Sequence, residues 1–283
     1  MKILIANIPA AEEDSEGGQF LKRVVVPLWR RNLDLVKQKD TEFTFRFASS
    51  GMAHEAFSDF HYLPKLNPIG IFHAVVQGEK EGFDGAMIGC FGDPLLSEIR
   101  ETVNIPVASL GESSMLLAMM MGYKFGVVTT SPFLDDELEK TITRYGLAKR
   151  SAGLRTTPEK GHEQEMALID AHHGIECFKK VGRELIADGA QVLIPGCGLM
   201  SPTLRLAPGA EKEYPNGFIQ LDGIPIMDVM GATLKMIEML VTLKRAGSSW
   251  INPDGFFTKA VPGGIEEFGQ IASKGDDLSF WNC

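Results

Sequence analysis

Cysteine is scarce in this chain and basic charge is in the minority, and each shortage excludes a class of protein. Four cysteines among 283 residues (Cys90, Cys177, Cys197 and Cys283), with no Cys-x-x-Cys pair, do not make a disulfide scaffold, so reduced thiols are expected. Lysine and arginine number 28 against 37 acidic residues, a net charge of −9, which argues against non-specific nucleic-acid binding because that needs a basic surface. Long apolar runs are missing too. The nearest, Met115 to Met121, stops at Gly122-Tyr123-Lys124, short of membrane-spanning length. The stretch Met1 to Asn7 has neither the apolar core nor the small-residue cleavage site of a signal peptide, and a cytoplasmic location is expected. No P-loop and no Gly-x-Gly-x-x-Gly follows a predicted strand, so nucleotide binding has no motif behind it. What remains is a chain with 44% hydrophobic residues, long enough for two modest domains with packed cores.

Two matching stretches organise it. Asp84-Gly85-Ala86-Met87-Ile88-Gly89-Cys90-Phe91-Gly92-Asp93-Pro94 and Asp188-Gly189-Ala190-Gln191-Val192-Leu193-Ile194-Pro195-Gly196-Cys197-Gly198-Leu199-Met200 each carry an acidic-Gly approach, an apolar run of strand length and a Gly-Cys turn. In an open α/β sheet, ligands bind outside the carboxyl ends of the strands. A cysteine just past each strand therefore lies on the edge where chemistry is done, and two thiols from two halves of the chain can face one cleft.

Around these strands the pattern alternates. Strands are predicted at 2–8, 41–48, 85–89, 105–110, 124–130, 151–157 and 191–195, with short edge segments at 218–221 and 224–226. Helices are predicted at 19–39, interrupted or kinked at Pro27, then at 68–81, 115–121, from Ser131-Pro132 onward, at 162–187 and at 227–244. Asp93-Pro94 reads as another helix start, with Asp93 as N-cap, which sets Cys90 beside a helix N-terminus that favours its thiolate. The Met stripe of 115–121 reads as core packing. The long connection 49–67 contains His54, Phe60, His61 and Tyr62 as candidate pocket-lining residues. Beyond Gly247, a tail with Trp250, Phe256, Phe257, Phe268 and Trp281 has no clear period and is expected to wrap its own chain or a neighbouring subunit. Strands alternating with helices imply parallel sheets covered on both faces, and the repeated strand-Cys unit implies two such sheets meeting at a cleft. The domains are expected at 1–112 plus 227–247, at 113–226, and as an extension at 248–283.

The chemistry expected of that cleft is proton transfer. A thiol ionises near neutrality, with an unperturbed pKa of about 8.5, so one of two facing cysteines can act as base while the other stays protonated. Placed on opposite sides of one carbon, they remove a proton from one face and return one to the other, which is racemisation without a cofactor. Backbone amides of the Gly-Cys turns, with Asn7 and Thr129 or Thr130, are candidates to stabilise the negative charge of the intermediate. A lone cysteine at the end of a buried strand is more often an apolar filler, but the repeated setting marks out Cys90 and Cys197. Cys177 and Cys283 lack that setting and read as structural or incidental. No metal site is expected: His172 and His173 are adjacent on a helix and diverge, and His162-Glu163-Gln164-Glu165-Met166 begins like a zinc-protease helix but has Met166 where the second histidine belongs.

These motifs, together with Gly111-Glu112-Ser113-Ser114-Met115 and Phe125-Gly126-Val127-Val128-Thr129-Thr130, resemble the aspartate/glutamate/hydantoin racemase superfamily, and within it the hydantoin and allantoin racemase branch. The resemblance covers about residues 1–244. It implies an α/β fold of two pseudo-symmetric Rossmann-like parallel-sheet domains, an active site between them, Cys90 and Cys197 as the acid/base pair, no cofactor and no metal. A hydantoin or allantoin-like substrate is implied, and Asn7, Phe91, Gly92, Thr129, Thr130, Gly198, Leu199, His61 and Tyr62 are the candidates expected to line it. The expected partners are a small-molecule substrate and further copies of the chain in a homo-oligomer, with neither nucleic acid nor membrane. The chain departs from the branch at Gly196-Cys197-Gly198-Leu199-Met200, where Gly-Cys-Ala-Gly-Met is typical, and at Asn7-Ile8-Pro9, where Asn-Pro-Asn is usual. The same superfamily includes maleate isomerases and arylmalonate decarboxylases, and a two-domain ligand binder with unreactive thiols is the non-catalytic alternative.

Overall fold

The protein is described by a computed structural model that covers residues 1–7, 16–47, 68–159, 161–259 and 264. Two parallel sheets form its frame. The first has the order β2-β1-β3-β4, from β1 (Lys2–Asn7), β2 (Glu42–Phe47), β3 (Gly85–Ile88) and β4 (Val107–Ser109). The second has the order β6-β5-β7, from β5 (Phe125–Thr129), β6 (Ser151–Thr156) and β7 (Val192–Pro195). Apolar residues dominate β1, β5 and β7, as strands covered on both faces require, and every residue of β3, β5 and β7 is buried.

The two sheets repeat one plan. In each, the cysteine-bearing strand pairs in parallel with the first strand of its half: Ile3 with Gly85 through Ala6 with Ile88, and Phe125 with Val192 through Val128 with Pro195. The ladder then runs one bond further, Gly89 N–H to Ala6 O at 2.8 Å and Gly196 N–H to Val128 O at 2.7 Å. A short hairpin, β8 (Gln220–Leu221) and β9 (Ile224–Pro225), turns through Asp222 and Gly223, both at positive φ. It delivers Ile226 to a parallel bridge with Leu193, the place β4 holds beside β3.

Helices cover the sheets, and α1 (Glu16–Phe20) and α2 (Val26–Asp34) are joined by a π turn, Leu21–Val25. The break expected at Pro27 is thus absorbed: Val26 N–H reaches back five residues to Leu21 O, and the widened turn lets a residue without an N–H follow. The helical run ends at Asp34 rather than Lys39. Next come α3 (Pro68–Lys80), α4 (Leu96–Thr102), α5 (Leu110–Met121) and α6 (Pro132–Arg144). The helix expected over 162–187 is two, α7 (Gly161–Ala167) and α8 (His172–Ala187). Asp170 Oδ1 accepts the His172 N–H and Ala171 N–H bonds Pro208 O, so the backbone donors at the break are spent outside a continuous helix. The Met stripe is core only in part: Met115 is fully buried, whereas Met120 and Met121 are exposed. α9 (Met200–Leu206) is followed by α10 (Val229–Arg245), capped by Asp228, which accepts from Gly231 N–H.

α5 and α10 exchange sheets. A Cβ on Gly122, just past α5, would stand 2.8 Å from Gln191 at the start of β7, and one on Gly85 of β3 would stand 2.8 Å from Val241 of α10. Each helix leaves the fourth position of one sheet and packs against the other. The described tail wraps its own chain, with Trp250 Nε1 donating to Asn104 O at 2.9 Å and Lys259 Nζ to Arg100 O at 2.8 Å. Phe268 and Trp281 lie outside the described residues. Among the described residues no helix is long and apolar enough to cross a membrane.

Candidate active site

Cys90 and Cys197 each follow the last residue of a ladder, and the two turns they stand on touch. A Cβ on Gly198 would lie 2.7 Å from the carbonyl oxygen of Gly89, a distance only glycine permits, so the backbone after Cys197 sits directly on the backbone before Cys90. Asn7, at the end of β1, wedges against the same turn: a Cβ on Gly89 would fall 1.7 Å from Asn7 Oδ1. Asn7 is buried, its Nδ2 donates to Ile5 O at 3.3 Å, and its Oδ1 has no partner among the described residues. The second turn is pinned by buried Trp29, whose Nε1 donates to Gly198 O at 2.9 Å.

The helix expected directly after Cys90 starts later and is capped differently. Asp93 and Leu95 both have positive φ, and α4 begins at Leu96 with no side-chain cap. The buried Asp93 carboxylate instead accepts Gly111 N–H at 2.8 Å, Glu112 N–H at 2.7 Å and Tyr145 Oη at 2.8 Å. It caps α5, eighteen residues on, and so anchors the Cys90 loop to that helix. The helix terminus expected beside Cys90 is found at Cys197, where Leu199 N–H points at Sγ at 3.4 Å as α9 starts.

Electrostatics follow this geometry. Each cysteine keeps some accessible surface, but protein packs closely around the sulfurs. Burial pushes the Cys90 thiol up to about 12, against one opposing donor, the Gly92 N–H, and with negative charge at Cys197 and Asp93 adding to the rise. Burial also raises Cys197, opposed by the N–H groups of Met200 and Leu199. The expected lowering of the Cys90 pKa is therefore reversed, because desolvation outweighs the local dipoles. Asp93 itself is pushed up to about 6, by burial first.

A cavity of about 30 Å³ opens beside Cys197, lined by Thr130, Glu159, Gln164, Leu199, Met200 and Thr203 among others. Of the remaining candidates, Phe91 is buried under the first turn, and Gly92 flanks Cys90, with its Cβ position 3.9 Å from that Sγ. Thr130 lines the cavity, but the Thr129 hydroxyl is spent on Asp135 and on Thr156 Oγ1 at 3.0 Å. His54, Phe60, His61 and Tyr62 lie outside the described residues. Trp29 and Glu159 carry no mark in the sequence, and Gln164 stands there only inside the His162–Met166 stretch; only the fold brings the three to the second turn. One group of metal-capable side chains occurs among the described residues, Glu159, His173 and Cys177.

The chain is similar to known proteins. The sequence model of the family Asp/Glu/Hydantoin racemase matches residues 49–237. A hydantoin racemase of Pseudomonas sp. (strain NS671) is 32% identical over 211 residues, covering 74% of this chain and 79% of the relative. Among solved structures, allantoin racemase from Klebsiella pneumoniae superposes with a TM-score of 0.71 at 22% identity, over 92% of this chain and 94% of that one. Allantoin racemase from Pseudomonas fluorescens does so with a TM-score of 0.71 at 21% identity, over 93% and 98%. At those identities the structural likeness speaks for the fold.

Proposed function

The chain belongs to the Asp/Glu/hydantoin racemase family and is an isomerase of the racemase type; from that premise we propose that Cys90 and Cys197 racemise a carbon acid next to a carbonyl, in a 5-substituted hydantoin or allantoin-like ring. The observation that carries the reading is the contact between the two Gly-Cys turns, Gly198 against Gly89, one turn from each sheet. The names of the relatives, hydantoin racemase and allantoin racemase, support the substrate class.

In the proposed reaction one sulfur, as thiolate, takes the proton from the ring carbon. The C–H electron pair moves into the neighbouring carbonyl, and the other thiol gives its proton to the opposite face. The first sulfur ends protonated and the second ionised, so the roles swap with the hand of the substrate and no step calls on a cofactor. A thiolate whose pKa is raised by burial is a stronger base, which suits a weakly acidic C–H. The N–H groups of Gly92, Leu199 and Met200 serve the sulfurs, steadying whichever carries the charge. Asn7 Oδ1, buried and unpaired beside Gly89, is an acceptor suited to a ring N–H.

Proton NMR in heavy water with enantiopure allantoin and 5-substituted hydantoins, run beside polarimetry, tests the reading. Exchange of the ring proton should accompany decay of rotation in the parent protein. Cys90→Ser and Cys197→Ser should each lose racemisation by at least about a thousandfold, the scale of losing a general acid or base. Full racemisation in both single variants would sink the cysteine pair. Absence of exchange with every hydantoin would sink the substrate class.

A further inference from the structure

The loop after β6 and the first turns of α8 bring together three groups that the proton-transfer reading does not use. His173 and Cys177 stand four residues apart on one face of α8, with Cys177 Sγ 3.5 Å from His173 Nε2. Glu159 approaches from the loop, and one ligand atom from each residue lies within 4.8 Å of the other two. Glu159 is 7% exposed, with the Thr157 side chain beside its carboxylate, and its Oε1 is buried with no hydrogen-bond partner among the described residues. That oxygen lies 3.3 Å from where a Cβ on Gly174 would stand, between the other two residues in sequence. A buried carboxylate oxygen left unpaired is costly, and the sulfur–nitrogen contact does nothing for it.

A cation accounts for all three. Sulfur and nitrogen bound to one tetrahedral zinc at about 2.3 and about 2.0 Å stand roughly 3.5 Å apart, which is the spacing found here. Thiolate, imidazole and carboxylate together are a donor set for a borderline divalent ion. The Glu163 carboxylate, 3.9 Å from the same Nε2, adds negative charge at the rim. The His173 side chain is 63% exposed and leaves a way in for the ion. We propose that Glu159, His173 and Cys177 form a three-ligand site for Zn²⁺ or a similar divalent cation, separate from the Cys90–Cys197 pair and with a fourth position open to water. On binding, the Cys177 S–H bond breaks, its proton leaves to solvent, and the sulfur lone pair forms the bond to the metal. The imidazole and carboxylate add lone pairs, and nothing is oxidised or reduced. Glu159 and Gly174 also line the cavity that Cys197 lines, so a bound ion would stand at the wall of that cavity.

Cobalt(II) titration of the full-length chain tests this independently of any activity. One equivalent of Co²⁺ should give a near-ultraviolet thiolate-to-metal band with visible d–d bands, and Zn²⁺ should displace it. The band should persist in the Cys90→Ser/Cys197→Ser double variant and vanish in Cys177→Ser. In His173→Ala, whose exposed side chain is not needed for folding, affinity should fall at least about tenfold. No band in the parent and the double variant, or a band that survives Cys177→Ser, would overturn the proposal.

Discussion

At the scale of single residues, the two cysteines differ in what opposes their burial. Cys197 has two N–H groups aimed at its sulfur, whereas Cys90 has one, and Cys90 also faces negative charge at Asp93 and at Cys197. Cys197 is therefore the easier to ionise, although both lie above the ordinary thiol range. A raised thiol pKa leaves the neutral form dominant at neutral pH, so alkylation by iodoacetamide should be slow there and should quicken as pH rises, with Cys197 modified ahead of Cys90. Peptide mapping across a pH ladder measures this, and labelling of Cys90 first would contradict it. Little of this difference is legible in the sequence, where Asp93-Pro94 after Cys90 looks like the stronger helix start. The direction of a terminus depends on φ at Asp93 and Leu95, and a residue pair such as Asp-Pro does not encode a left-handed turn.

Secondary elements were legible where the cause is local. The apolar runs of β3 and β7 and the glycines that end them announce two like strands, because each run is short, bounded and buried on both faces. Elements whose boundaries depend on distant partners were not. The helix break before His172 depends on Pro208, and the cap of α5 comes from Asp93, eighteen residues earlier. The metal-capable cluster is half visible as a His173–Cys177 pair at helical spacing, while Glu159 joins it only through the fold. The Asp93 cap carries its own prediction. Asp93→Ala leaves the Gly111 and Glu112 N–H groups and the Tyr145 hydroxyl without their acceptor, at a cost of about 2 to 4 kcal/mol in urea unfolding. The cost also depends on pH. Asp93 holds its proton up to about pH 6 when folded but only to about pH 4 when unfolded. The folded state thus binds more protons in that window, and the stability Asp93 contributes is greatest at low pH and declines as pH rises through both values. The penalty of Asp93→Ala should be larger near pH 5 than near pH 8 by about 1 kcal/mol, and an opposite trend would refute the raised pKa.

At the scale of the molecule, the pairing of the two turns depends on what holds the sheets together. We propose that the chain divides into lobes at 1–112 plus 227–247 and at 113–226, with 248–283 as an extension. The exchange of α5 and α10 supports this division, since α10 returns across the second half to cover the sheet of the first. Its attachment is polar as well as apolar. Glu238 is fully buried and accepts Thr41 Oγ1 at 2.6 Å, Gln38 N–H at 2.8 Å and Lys235 Nζ at 2.5 Å. Lys244 Nζ donates to Asn104 O at 2.8 Å, and Arg245 pairs with Asp84 at 2.7 Å. A buried carboxylate holding three donors is expensive to remove, because the donors are left unpaired. Glu238→Ala should cost about 3 to 5 kcal/mol by urea unfolding, whereas Met239→Ala, at an exposed position on the same helix, should change stability by less than about 0.5 kcal/mol. If α10 clasps the lobe that carries Cys90, partial unfolding in Glu238→Ala should expose that cysteine to alkylation at denaturant levels where the parent protects it. Equal protection in the two proteins would mean that the first sheet holds its cysteine turn without the returning helix.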